Sequence, residues 1–582
     1  MSAKNAVFSA LRGIVRSNSI GQVGIAIGVG ALAGACVTAM TRIAEFAHVL
    51  IYGIAFDERL SAHTHIRPLT AFAALGLGGL VMGAFEHWRR ARGAPEIVDP
   101  IEANALRGGR LSLRDGVLVA AQTLISNGCG ASVGLEAGFA QIGSAIASRT
   151  GVSLDLRRQD LRTLVGCGAA GAIAAAFAAP LTGAFYAFEL IIGVYSLANA
   201  APVLAAAVAG TLAVRALGGA PYVVTAPPVA PLTVAHHLAL IVLGLVSAVV
   251  GVAAMRAAAW FERGFQASPL PPWARPIIGG CFVAMLATLT PQVLGAGHGA
   301  LDLDLPLGIP AATLVGLILL KLTACTVSLA SGFRGGLFFA SLFVGALLGK
   351  LFALIAASLS PTLALDPTAC LFAGMATLGV AIVGGPLTMT FLVLESSGDL
   401  SVAGGVLAAS IASSLAVRAT FGYSFSTWRL HLRGETILSA QDVGWIRDLT
   451  VARLMDHNPP VFAASAQLSE FCAAYPLGSA NFVALTDEDG RYAGLVSVPE
   501  AHAQPKDVRA APVADLAKLA GVSLTPEENA RQAMAQFEAA HSELLAVTDP
   551  ETGAVLGQLG EAYATRRYAQ EADRAAKGVF GA

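Results

Sequence analysis

One acidic residue, Glu136, lies inside the glycine-rich stretch Gly130–Gly138 of a largely apolar region. A carboxylate at membrane depth costs about 2.5–3.5 kcal/mol or more, so such a residue is a candidate for function. The neighbouring glycines let backbone N–H groups approach a small ligand closely. A glycine-rich turn that leads into a helix N-terminus can bind an anion. We therefore expect Glu136 to compete with an anion for such a site and thereby to gate it.

Three glycine-rich breaks interrupt the apolar sequence, at residues 92–97, 130–138 and 332–343. We expect each break to open a helix, whose N-terminus carries about half a positive charge and free N–H groups. Such partial charges hold an anion without the tight grip of a full cation, so the anion can also leave. The three breaks are therefore candidate parts of an anion pathway.

Composition places these breaks in a membrane protein. The 582-residue chain is 55% apolar and 13% charged, with a mean hydropathy of +0.66, whereas soluble domains are about 25% charged. Apolar segments recur between residues 21 and 420, and several are shorter than the roughly 20 residues of a plain span or are broken by Gly or Pro. The net charge of −1 and the lack of a basic run give no sign of a nucleic-acid partner.

Other function classes find no support in the sequence. The seven cysteines lie mostly in apolar runs without metal-like spacing, so we expect small core residues. The sequence shows no Ser/His/Asp set, phosphate loop or dinucleotide fingerprint. We therefore expect no enzymatic activity, no metal and no cofactor.

Charge and composition divide the chain into three parts. Residues 1–19 carry Lys4, Arg12 and Arg16 ahead of the first long apolar segment, which favours a cytoplasmic N-terminus. Residues 20–434 form the expected transmembrane domain. Residues 435–582 lack a membrane-length apolar run and are expected to form a cytoplasmic tail.

Two α/β units in tandem are expected in the tail. The first has a helix at 468–474, strands at 482–486 and 493–498, and the turn Asp487–Gly490; the second has a helix at 527–540 and strands at 543–548 and 554–559. This arrangement resembles a CBS-domain pair. An adenine nucleotide is conceivable at Ser497–Glu500, but the second unit, at Gly560 and Glu561, lacks the hydroxyl. The sequence therefore favours a structural or dimer-stabilising tail.

An internal repeat runs through the membrane part. The segment Pro180–Glu189 matches Pro386–Glu395, and Val133–Gly143 parallels Gly335–Gly345. Repeats about 205 residues apart, each with Gly- or Pro-broken apolar segments, indicate duplicated halves with the ligand site between them. We place the halves at about residues 20–217 and 235–420.

Four sequence blocks, in the same order and spacing, resemble signatures of the ClC chloride channel and transporter family, in its bacterial ClcB-like branch. Val133–Gly143 is similar to the Gly-Arg/Lys-Glu-Gly-Pro block and Gly335–Gly345 to the Gly-Gly-Ile-Phe-Ala-Pro block. Phe177–Gly183 is similar to Phe-Asn-Ala-Pro-Leu-Ala-Gly, and Gly93–Ile97 to the end of Gly-Ser-Gly-Ile-Pro-Glu. The likeness covers residues 20–434.

This resemblance implies a fold and a set of site residues. The fold is an all-α polytopic membrane protein of inverted-repeat ClC architecture with about 16–18 helices, several not fully spanning, plus the small α/β CBS pair. The family implies a homodimer with one pore per subunit and Glu136 as the external gate. The anion-binding residues that it implies are Gly134, Leu135, Ala137, Gly336, Leu337 and Phe338. Alternatives are a helix cap or a buried arginine partner for Glu136, and core packing for Leu337 and Phe338.

Two side-chain ligands of the family are replaced. Aligned by Gly93 and Pro95, the family's central serine corresponds to Arg92, and its tyrosine in the last membrane helix corresponds to Ser426. Arg92 then either points into the pore as an anion-binding cation or belongs to a cytoplasmic basic cluster that reaches the lipid headgroups.

A third departure concerns protons. The family's exchangers carry an internal glutamate just after the position of Glu189, where this chain has Leu190. Glu189 itself is expected to cap or pair within the helix bundle. The apolar Leu190 favours weak or absent proton coupling.

The sequence therefore predicts a protein of a bacterial inner membrane that transports chloride or a similar monovalent anion. Glu136 is the expected gate, and the route is expected to be channel-like or weakly proton-coupled. The alternatives are a strict chloride/proton antiporter and a non-conducting membrane sensor.

Overall fold

The chain forms two compact units, Met1–Asp442 and Val443–Ala582, in a computed structural model. The boundary between them lies outside the described residues, so the predicted domain limit at 434 stays a prediction. The N-terminal segment and Ser426 also lie outside them. The structure describes residues 19–56, 58–94, 97–222, 224, 227, 229–304, 308–422, 424, 427–428, 449–505, 508–568 and 570.

The first unit is helical. Between residues 19 and 420 the described chain forms sixteen α-helices, within the predicted number. These are α1 Ser19–Tyr52, α2 Pro68–Ala91, α3 Pro100–Leu106, α4 Leu113–Gly128, α5 Glu136–Ser153, α6 Arg158–Phe177, α7 Pro180–Tyr186, α8 Leu197–Ala216, α9 Val234–Ala267, α10 Arg275–Ala287, α11 His298–Asp304, α12 Ala311–Ser331, α13 Phe338–Leu359, α14 Pro367–Val383, α15 Pro386–Ser397 and α16 Leu400–Thr420.

Eight of the described helices are long and apolar enough to cross a membrane: α1, α2, α6, α8, α9, α12, α13 and α16. Others are too short for a full span, among them α3, α7 and α11 at seven residues each. Helix α7 continues as a π-helical turn, Ala187–Ile192. Large apolar side chains remain exposed along these helices, as lipid contact requires. The chain is therefore a multi-pass membrane protein with several interrupted helices, as predicted.

Glycines set the closest helix contacts. A Cβ on Gly143 of α5 would overlap the backbone carbonyl of Gly168 in α6, and a Cβ on Gly345 of α13 would overlap that of Gly374 in α14. Small residues permit such backbone contact between membrane helices. Residues 143 and 345 are equivalent in the repeat, so both halves use the same packing device.

Equivalent residues of the two halves also meet each other. Gly134 and Gly336 form an antiparallel backbone bridge. The rings of Phe185 in α7 and Phe391 in α15 stack with centroids 4.2 Å apart. Two halves related by a two-fold axis bring equivalent positions near the axis into contact, with their backbones antiparallel. The inverted repeat is therefore confirmed.

The second unit is the α/β tail. Its described helices and strands are α17 Val451–Leu454, β1 Val461–Ala463, α18 Leu468–Ala474, β2 Phe482–Thr486, β3 Tyr492–Ser497, α19 Val498–His502, α20 Ala530–Ala540, β4 Leu544–Thr548 and β5 Val555–Gly560. Strand β1 pairs parallel with β2, whereas β2–β3 and β4–β5 are antiparallel hairpins. The predicted strand–turn–strand units are thus present, with bounds that differ by at most three residues.

Candidate anion pathway

Two helix N-termini meet at the glycine bridge. The Gly134 amide donates to the Gly336 carbonyl at 2.9 Å, and the Gly336 amide donates to the Gly134 carbonyl at 3.1 Å. Helix α5 begins two residues after Gly134, and α13 begins two residues after Gly336. The first N–H groups of a helix lack partners within it and carry partial positive charge. The repeat therefore places two anion-attracting helix ends side by side.

Glu136 is the first residue of α5 and is 4% exposed. Its carboxylate folds back against Gly134, where any Cβ would overlap Oε2, and Oε2 accepts no hydrogen bond among the described residues. The nearest basic group described is His298 Nε2, 3.9 Å from Oε1. No arginine among the described residues pairs with Glu136, so the alternative of a buried arginine partner is not supported. A buried, unsatisfied carboxylate is costly and usually signals function.

Glu136 lies between two cavities. The His298 cavity is lined by residues that include Arg59, Tyr222 and His298. The Leu337 cavity is lined by these residues: Ile97, Asp99, Pro100, Ile101, Val119, Glu136, Ala137, Ala140, Gln141, Tyr186, Ile191, Arg334, Gly335, Gly336, Leu337, Phe338 and Val383. Of the described residues, Glu136 alone lines both. Displacing this one side chain would therefore remove the group that separates the two cavities.

Aromatic rings hold His298 beside the carboxylate. Its ring stacks on Phe339, with centroids 3.6 Å apart, and meets the edge of Tyr222 at 4.9 Å. The Arg59 guanidinium lies over the Tyr222 ring, 4.7 Å from the ring centre. The buried Lys321 holds the loop that precedes His298, because its ammonium donates a hydrogen bond to the Gly295 carbonyl at 2.7 Å. Arg59 and Lys321 thus place positive charge on the His298 side of Glu136, where Glu45 and Glu58 also line the cavity.

The Leu337 cavity contains the predicted backbone ligands. The lining residues include Ala137, Gly336, Leu337 and Phe338, and Leu135 is the N-cap residue of α5. Four predicted anion-binding residues therefore line this cavity with Glu136, whereas Leu135 lines the His298 cavity and Gly134 bridges to Gly336. The other ionisable groups that line the Leu337 cavity are Asp99, Tyr186 and Arg334.

Arg92 is not brought to this site. It ends α2, is exposed, and its guanidinium lies 4.2 Å from the Trp88 ring centre. The described helix that follows α2 is α3, which begins at Pro100 with Asp99 as its cap. The family block therefore aligns by Pro100, which puts Ile97 at the serine position. The pore interpretation of Arg92 is wrong for this structure, because the alignment was five residues early.

The sequence itself contains a signal for a helix start at Pro100. An Asp followed by Pro is a typical N-cap and first helical residue, and Asp99 Oδ1 accepts the Glu102 amide at 2.8 Å. No local sequence pattern distinguishes Tyr186 or His298. Tyr186 contacts Phe338 and His298 contacts Glu136, each more than 100 residues away in the chain.

Glu189 caps a helix of the other half. Its carboxylate accepts the amides of Leu387 at 3.0 Å and Thr388 at 2.8 Å, and the Thr388 hydroxyl at 2.6 Å. Glu395 does the same for Leu181 and Thr182, at 2.8, 2.8 and 2.7 Å. Both glutamates of the matched segments therefore serve as reciprocal caps, in agreement with the predicted structural role of Glu189.

Leu190 lies away from the gate. It lines a third cavity together with Glu189, Tyr195 and Arg418. Neither Glu136 nor Tyr186 lines that cavity. At the position where the family's exchangers carry an internal glutamate, this cavity has the apolar side chain of Leu190.

In the tail, the residues considered for nucleotide binding have local partners. The Ser497 hydroxyl accepts the Glu500 amide at 3.4 Å as a helix cap. Glu500 pairs with Lys518 at 2.7 Å on an exposed surface. These contacts account for both side chains without a ligand.

Comparison with known proteins identifies the family. The family model described as voltage gated chloride channel matches residues 73–418. The chain is 27% identical over 369 residues to the voltage-gated ClC-type chloride channel ClcB of Citrobacter koseri, a match that covers 62% of this chain and 87% of the relative. It is 26% identical over 372 residues to ClcB of Escherichia coli O157:H7, covering 62% and 86%.

Solved structures share the fold. A slow cyanobacterial Cl⁻/H⁺ antiporter aligns with a TM-score of 0.62 at 21% identity, over 71% of this chain and 97% of that one. A CLC-type fluoride/proton antiporter aligns with a TM-score of 0.57 at 22% identity, over 68% and 95%. The sequence-based resemblance is thus confirmed: the chain belongs to the voltage gated chloride channel family, the ClC anion-transport proteins.

Proposed function

We propose that this chain carries chloride or a similar monovalent anion by a route that Glu136 gates and that is channel-like or weakly proton-coupled. The observation that carries the proposal is the position of Glu136 as the described residue common to both cavities. Its ionised carboxylate lies at the two helix N-termini, in the place of an anion. Protonation, or competition by an anion, moves it aside.

Helix dipoles supply the binding energy. Each of α5 and α13 presents about half a positive charge, and Leu337 and Phe338 add apolar walls that exclude water. An anion in this setting loses hydration but meets no full cation, so it binds and leaves readily. The cations around His298, on the other side of the gate, attract anions toward it.

Weak coupling is supported by Leu190, which offers no proton acceptor. Strict anion/proton antiport is a second candidate, favoured by one observation: Asp99 lines the same cavity as Glu136. A carboxylate there can exchange protons with Glu136 through water without using position 190.

Anion flux from proteoliposomes containing the full chain tests the proposal, measured with and without a pH gradient. Electrogenic chloride flux without proton movement supports the channel-like route, and stoichiometric proton movement supports antiport. No flux from the wild-type protein would favour a non-conducting sensor and refute the proposal.

The variant Glu136→Gln sharpens this test. A glutamine has the size of the protonated side chain but cannot ionise, so flux should become independent of pH and the open state should be favoured. Glu262→Gln, in α9 and outside the lining of both cavities, is the matched control and should behave as wild type. Unchanged pH dependence in Glu136→Gln would contradict the gating role.

We further propose a homodimer in the bacterial inner membrane, with the N-terminus and the tail in the cytoplasm. Each subunit holds its own complete set of pathway residues, so each would conduct independently. Single-molecule photobleaching of protein in lipid should give two steps, and labelling of cysteines introduced near residues 10 and 560 should occur only from the cytoplasmic side.

The tail is proposed to act without a nucleotide, as a structural or dimer-stabilising unit. The support is that Ser497 and Glu500 already have local partners. Calorimetric titration of the full chain with ATP and AMP should show no binding; saturable heat would contradict the proposal.

A further inference from the structure

The Leu337 cavity contains one side-chain hydroxyl whose role nothing above explains. Tyr186 is the last residue of α7 and lines the cavity together with Gly336, Leu337 and Phe338. Its ring centre is 6.2 Å from that of Phe338, at a steep angle. The hydroxyl makes no hydrogen bond among the described residues, and the side chain is half-buried.

The ring of Tyr186 is held firmly. It packs against the apolar cluster of Ile101, Val165, Ala169 and Ile191, contributed by three separate helical segments. An anchored ring fixes the hydroxyl in one place, so it can bind a ligand at little cost in side-chain entropy. An unpaired donor beside two helix N-termini is therefore preorganised for an anion.

Glu136 and Asp99 line the same cavity as Tyr186. Arg334 is the basic side chain that lines the same cavity. An anion that enters this cavity when Glu136 moves aside thus shares it with Tyr186.

We propose that Tyr186 is an anion-binding and selectivity residue of the pathway, whose O–H donates to the ion held at the Leu337 and Phe338 amides. It supplies the side-chain donor that Ile97, in the segment before α3, cannot supply. Asp99, which lines the cavity and caps α3, opposes the ion and keeps its binding weak enough for release. This proposal rests on the proposed function.

Chloride and bromide binding to the purified full chain, measured calorimetrically, tests it with the variant Tyr186→Phe. Removing only the hydroxyl should weaken binding about tenfold, the loss expected for one hydrogen bond to a charged group. The ratio of chloride to nitrate flux should fall as well. The control is Tyr195→Phe, because Tyr195 lines the third cavity, and it should bind as wild type.

Equal binding by Tyr186→Phe and Tyr195→Phe would overturn the proposal while leaving anion transport intact. Absence of any flux from the wild-type protein would instead overturn the proposed function. If Tyr186→Phe does not fold, anomalous scattering from bromide in wild-type crystals gives the second test. A bromide within hydrogen-bond distance of the Tyr186 hydroxyl supports the assignment, and a bromide elsewhere in the pathway refutes it.

Discussion

The reciprocal caps make a quantitative prediction about stability. Glu189 binds the N-terminus of α15 and Glu395 binds that of α7, each through three hydrogen bonds of 2.6–3.0 Å. Replacing either by glutamine keeps one acceptor oxygen but turns an N–H₂ donor toward a backbone donor. The charge is lost as well.

The expected cost follows from these contacts. One charge-assisted hydrogen bond contributes about 1.5–3 kcal/mol, and a negative charge at a helix N-terminus adds about 0.3–1 kcal/mol. Each variant should therefore lose about 2–4 kcal/mol. With an unfolding entropy of about 2 cal/mol/K per residue over roughly 400 residues, Tm falls by about 2–5 °C.

The assay is the heating midpoint of the full chain in detergent, followed by size-exclusion chromatography with fluorescence detection. Glu189→Gln and Glu395→Gln should shift Tm equally and leave chloride flux at permissive temperature unchanged. Glu262→Gln, whose side chain takes one long contact of 3.4 Å from Gln266, should shift Tm by less than about 1 °C. A normal Tm with altered proton flux in Glu189→Gln alone would refute the capping role and assign that residue to the proton pathway.

Three further predictions follow from the packing and the charges. Arg92→Ser should leave chloride affinity and selectivity unchanged, because Arg92 is exposed on Trp88; a changed affinity in the binding assay would contradict this placement. Gly345→Ala should sharply reduce folded protein in size-exclusion chromatography, because its Cβ would overlap the Gly374 carbonyl, whereas Gly28→Ala, with open space around it, should not. Asp99→Asn should strengthen chloride binding by removing a like charge from the cavity. On the channel-like route, neither the wild type nor this variant should show coupled proton flux. Stoichiometric proton movement in the wild type that is lost in Asp99→Asn would instead support antiport.

Much of this protein follows from its sequence alone. An apolar chain broken by glycines can satisfy its backbone in a bilayer only as helices, and the matched segments that contain Glu136, Glu189 and Glu395 predict two related halves. The helix start at Phe338 was also predictable, because a glycine-rich turn precedes an apolar run there. These features depend on local chemistry or on repetition within the chain.

Only the tertiary structure decided which side chains reach the pathway. Arg92 and Asp99 are seven residues apart, yet one lies exposed on Trp88 and the other lines the cavity, because a turn between them ends α2 before α3 begins. Tyr186 and His298 lie about 150 and 40 residues from Leu337 in sequence, and helix packing around the two-fold axis brings each to a cavity that Glu136 lines. Spacing along one helix or turn fixes neighbours within a few residues, whereas contacts between interrupted helices depend on how glycines such as Gly345 set the distance between backbones.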